Sequence, residues 1–156
     1  MKIRVIANSR YIGGGEFSSM WLTNKLAELG HDVVFHPTDS PTNKGYVLDP
    51  RVTKGDRFDR INDYGSDLVL GYMNNFCYLV NGYRKQWEPL LNNTSRTVIA
   101  LNFCVGEAWH EWFTEKVDRF MFLCSDRRDE FLQKAPNYQG STAVLCPPVE
   151  PEPYLA

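Results

Sequence analysis

Short apolar runs recur along the chain, and each is the length of a strand buried on both faces. Residues 2–7 (KIRVIA) form the first, a β-branched run at the start of the chain. Others follow at 32–36 (DVVFH), 67–72 (DLVLGY) and 97–102 (TVIALN), and two more lie in DRFMFLC and STAVLC.

Between these runs the period lengthens. Over residues 16–29, Phe17, Met20, Trp21, Leu26, Ala27 and Leu29 make a broad apolar face, and Gly30 stands where a helix commonly ends in glycine. Further helices are expected at 75–91, where Pro89 shortens or kinks the segment, at 107–114 and at 126–134. Residues 37–56 are turn-rich, with a short additional strand at 46–48, and 57–64 reads as a short helix. Strand and helix therefore alternate from end to end, without internal repeat or low-complexity tract. Such alternation predicts an α/β fold: a Rossmann-like parallel sheet with helices on both faces, formed as a single domain.

Composition narrows the function. The 156 residues suffice for one domain with a real core. A net charge of −2 and the lack of any Lys/Arg tract argue against nucleic-acid binding. No apolar stretch is long enough to span a bilayer, and the run after Lys2 is too short for a signal peptide, so a cytoplasmic location is expected. The sequons in 92–95 then read as loop residues.

Cys77, Cys104, Cys124 and Cys146 form no C-x-x-C pair, which gives no zinc or redox motif. Free cysteines at the ends of apolar runs are expected to behave as small buried hydrophobes; a thiol cluster at one sheet edge is the other reading. His36 and His110 stand alone, His110-Glu111 lacks the H-E-x-x-H spacing, and His31 falls at the wrong end of its strand for a site.

Ligands of parallel sheets bind at the carboxyl ends of the strands. That draws attention to residues 8–16, 71–75, 102–109 and 125–127, which include Tyr11, Tyr72, Phe103 and Trp109. A sugar ring offers an apolar face to an aromatic and hydroxyls to Asn, Ser or Glu, and both kinds of side chain are present. The same aromatics would also serve simply to cap the sheet edge.

Three consecutive glycines, Gly13, Gly14 and Gly15, precede the first helix. They do not make a dinucleotide fingerprint, because Glu16, Phe17 and Ser18 follow Gly15, and no Gly-Lys-Ser/Thr completes a phosphate-binding loop. The helix terminus beyond them still offers free N–H groups to an anion. Glu16 there either complements the dipole or holds a hydroxyl, and Ser125 is placed as an ordinary helix N-cap.

The stretch IGGGEFSSMWLTNKLAELGHDVVF resembles the opening of the amino-terminal domain of GT-B glycosyltransferases, in particular glycosyltransferase family 4. Leu26, Gly30, His31 and Val33 fit the family's L-x-x-x-G-H-x-V ending. In thinner form the resemblance continues through DLVLGY, TVIALN, VDRFMFLCSDRRDEFL and VLCPPVEPEPYL. Where the family has histidines at the ends of its central strands, this chain has Leu70, Tyr72 and Asn102.

The resemblance implies an acceptor-side domain over residues 1–146 and the start of a linker at 147–156. A carboxyl-terminal donor-binding domain would complete the active-site cleft, with a nucleotide-sugar as donor substrate and neither metal nor cofactor. Tyr11, Gly13, Gly14, Gly15, Glu16, Tyr72, Asn102, Phe103 and Ser125 are the ligand-binding residues it implies; the catalytic groups would belong to the donor side. The alternative is a stand-alone Rossmann-like module that binds a sugar or nucleotide without turning it over.

Overall fold

In the computed structural model, which describes residues 1–8, 14–38, 47–73, 82–101 and 111–145, the first strand lies inside the sheet, third of seven from one edge. β1 (Lys2–Ala7) is buried from Ile3 onward, as a strand covered on both faces must be. It pairs in parallel with β2 (Asp32–Pro37) on one side and β4 (Ser66–Met73) on the other. The edge strand β3 (Thr53–Lys54) lies beyond β2, while β5 (Thr94–Leu101), β6 (Arg119–Phe122) and β7 (Ser141–Val144) follow β4. The order β3-β2-β1-β4-β5-β6-β7, parallel throughout, is a Rossmann-like α/β arrangement.

Side-chain alternation splits the core in two. Ile3, Val5, Ala7, Val33, Phe35 and Leu70 pack on one face with Met20 and Ala27 of α1 (Gly14–Glu28). On the other face, Ile6, Val69, Ile99, Phe120 and Phe122 meet Phe58 of a 3-10 turn (Phe58–Arg60) and residues from three helices. These are α2 (Arg84–Asn92), α3 (Glu111–Thr114) and α4 (Ser125–Lys134). Trp87 of α2 is fully buried there, with ring centroids 4.8 Å from Phe58 and 5.1 Å from Phe113.

The glycine stop after α1 has the predicted form. Gly30 adopts φ +89°, its N–H bonds Ala27 O at 3.0 Å, and the His31 N–H reaches back to Leu26 O at 3.2 Å. Those two reversed bonds satisfy carbonyls that the helix leaves open.

Several boundaries differ from the pattern reading. α1 begins at Gly14, so two of the three glycines belong to its first turn and not to a loop. Its buried face includes Ser18, Ser19 and Thr23, small polar residues that fit close to the strands, and Thr23 Oγ1 bonds Ser19 O at 2.6 Å. Met20 and Ala27 are buried as expected, Leu29 past the helix end is 74 % exposed, and the Phe17 side chain lies outside the described residues.

The additional strand is Thr53–Lys54; Val47 and Leu48 form none, and Tyr46 lies outside the described residues. Only three residues of 57–64 coil, because the buried Phe58 and Ile61 tie this crossing segment flat to the sheet. Within the expected 75–91 helix, Gly82 and Tyr83 are not helical and the described helix runs Arg84–Asn92; residues 75–81 lie outside the description. β5 starts three residues earlier than its apolar run, since Thr94 pairs with Ser66 and their hydroxyls meet at 3.1 Å. Of 107–114, Glu111–Thr114 is described and helical. At the start of α4, Cys124 takes the cap position and Ser125 the first helical one, with no side-chain capping bond.

Candidate functional site at the carboxyl ends of beta1 and beta4

Strand order reverses between β1 and β4, since the chain proceeds from β1 outward through β2 and β3 before returning to β4. Their carboxyl ends flank the crevice that such a reversal opens. Ala7 and Tyr72 are register partners there, and Asn8 continues from β1. The end of β2 is tied to the same corner by the Thr38 N–H, which donates to Ala7 O at 3.0 Å.

α1 starts six residues beyond Asn8, with Gly14 and Gly15 in its first turn. The first-turn N–H groups of a helix have no partner within it and lie at the positive end of its dipole. Neither Gly14 nor Gly15 carries a Cβ that would cover those groups. Tyr72, half-buried, packs with the core on the α1 face of the sheet. The corner therefore combines an anion-receptive helix terminus with an aromatic side chain.

Gly14, Gly15 and Tyr72 thus share the crevice edge. Glu16 is also in the first turn, with its side chain outside the described residues. Ser125 stands at the same edge but follows β6, two strands from β4 and about 10 Å away laterally. It is exposed. Tyr11, Gly13, Asn102 and Phe103 lie outside the described residues, as do Trp109, His110 and residues 146–156. Leu101, the register partner of Met73, is the last described residue before Asn102.

Cys124 is exposed, against the expectation of a buried thiol, because it sits past the end of β6 at the turn into α4. The other three cysteines lie outside the described residues. Among the described residues no cluster of His, Cys, Asp or Glu has the makings of a metal site, and no helix is long and apolar enough to cross a membrane.

Two further features escaped the pattern reading. A groove of about 420 Å³ lies at the opposite edge of the sheet, between Glu111, Thr114 and Glu115 and the loop from Lys134 to Gly140. Tyr138 anchors that loop through an Oη–H bond to Val117 O at 2.9 Å, and burial pushes its phenol well above the ordinary range. The second is a buried polar contact. His36 Nε2 lies 3.0 Å from Arg4 Nη1, and both residues are only 3 % exposed. A charged residue at the centre of an apolar strand was the available signal for it.

No protein-family model matches the chain, and a search of the curated proteins finds no match either.

Proposed function

We propose that this chain is the acceptor-side domain of a GT-B-type glycosyltransferase, working with a carboxyl-terminal domain that binds a nucleotide-sugar. The observation that carries the reading is the first turn of α1, built on Gly14 and Gly15 beside the β1–β4 crevice. Such a turn suits close approach of a diphosphate, and the neighbouring Tyr72 suits a sugar face. The resemblance of residues 12–35 to family 4 transferases supplies the reaction: transfer of a sugar to a glycan, lipid or small-molecule acceptor, in a cytoplasmic setting. On this reading the domain binds and orients, and the groups that drive transfer come from the donor side.

Titration of the isotope-labelled chain with UDP-glucose and with GDP-mannose at millimolar concentration tests it by amide NMR. The expected result is shifts at Asn8, Gly14, Gly15 and Tyr72. Shifts confined to the Glu111–Gly140 groove with either nucleotide-sugar would remove the proposal. Binding of a nucleotide or sugar without transfer by the complete protein would favour the stand-alone module.

A further inference from the structure

Residues 55–65 leave β3 at the sheet edge and cross the β2–β1 face to reach β4, burying Phe58 and Ile61 on the way. Polar contacts hold this crossing to the sheet. Arg4 Nε donates to Gly65 O at 3.1 Å and His36 Nδ1 donates to Asp56 O at 2.8 Å, while beneath the crossing Arg4 Nη1 donates to His36 Nε2 at 3.0 Å and joins β1 to β2. Arg4 Nη2 stands 3.1 Å from Asp63 Oδ2, an ion-pair distance without hydrogen-bond alignment. The fit is tight: a Cβ on Gly55 would lie 2.5 Å from His36 Cε1.

The partners dictate the tautomer. An arginine only donates and a carbonyl only accepts, so neutral His36 carries its proton on Nδ1 and offers its Nε2 lone pair to Arg4. We propose that this Arg4–His36–Asp56 chain is an acid-opened latch, which below the ordinary histidine range releases residues 55–65 while the central strands stay folded. A proton from solvent would occupy the lone pair that Arg4 uses. The arginine bond between the strands is then lost while Nδ1–H keeps Asp56 O, and two cations face each other in a buried place. Lifting the crossing returns both to water, and that relief is what opens the latch.

The charged groups acting on the ring, among the described residues, are Arg4 from β1 and Asp56 and Asp63 from the crossing; β3 leads into uncharged Gly55. Burial foremost holds His36 below its ordinary value of 6.5, with Arg4 adding to the effect, against the opposing Asp56 carbonyl. Asp63 stays ionised in this range, because Arg4 and then Lys2 hold it low, but at 75 % exposure it offsets the new charge only in part. The closed state thus binds the proton less readily than the open one. The latch is at full strength above about pH 6.5 and weakens as pH falls through the lowered value.

Hydrogen exchange of the whole chain between about pH 7.5 and about pH 5, corrected for intrinsic rates, reads the opening. The Gly55 amide, bonded to Phe35 O at 2.8 Å, reports on the crossing, and Val69 and Ile99 report on the central sheet. Protection at Gly55 is expected to fall by up to about tenfold per pH unit while Val69 and Ile99 hold theirs. Constant protection at Gly55, or loss in step with Val69 and Ile99, overturns the latch. His36→Gln keeps one donor and one acceptor without titrating, so its exchange should not depend on pH; persistence of the dependence counts against the latch. On the unsubstituted chain, imidazole nitrogen NMR should find the Nδ1–H form at neutral pH, and an Nε2–H form would refute the arrangement.

Discussion

Gly30 and Gly55 are glycines for different physical reasons. At Gly30 the backbone is left-handed, φ +89°, and a Cβ would meet nothing within 4 Å, so only the conformation asks for glycine. Gly30→Ala should therefore cost about 1 kcal/mol, read as a lower urea midpoint with unchanged slope. At Gly55 the backbone is unexceptional, and the His36 ring and Val34 occupy the space a side chain would need. The first reason is local and was legible from a glycine following an apolar helical period. The second depends on a histidine 19 positions away in sequence, and no pattern of neighbours encodes it.

At the scale of elements, α2 shows how tertiary contacts set what propensity leaves open. Pro89 lies inside this nine-residue helix and removes the N–H that would bond four residues back, at exposed Lys85. Burial of Trp87, Leu90 and Leu91 holds the helix in place nonetheless. Trp87→Ala should destabilise the chain by about 3–5 kcal/mol, since the void would open between the 3-10 turn, α2 and α3 at once. Calorimetry checks this, and a loss below about 1 kcal/mol would mean that the aromatic core collapses to fill the space. α1 teaches a complementary lesson. Its apolar spacing located the helix but not all of its buried face, because Ser18, Ser19 and Thr23 are small enough to lie against strands despite their hydroxyls.

For the whole molecule, the strand order decides where a ligand would sit. The reversal between β1 and β4 gathers Asn8, the first turn of α1 and Tyr72 at one corner, while Ser125 stands two strands away. Gly14→Leu should leave the thermal midpoint within a few degrees, because helix N-termini tolerate side chains, yet abolish the nucleotide-sugar shifts at Asn8 and Tyr72. Retained shifts in a folded variant would separate the glycine turn from ligand binding.

The sequence by itself determined the α/β class, six of the strands and the stop at Gly30. Each follows from local rules, namely apolar runs of strand length, helical periodicity and the conformational freedom of one glycine. Only the tertiary structure decided the order of the strands, the edge pair at Thr53–Lys54 and the flat crossing of residues 55–65. It also decided the burial of Arg4 against His36, 32 residues apart in the chain. Those features rest on which distant segments pack together, and a buried charge reads as a surface charge until its partner is brought within hydrogen-bond reach.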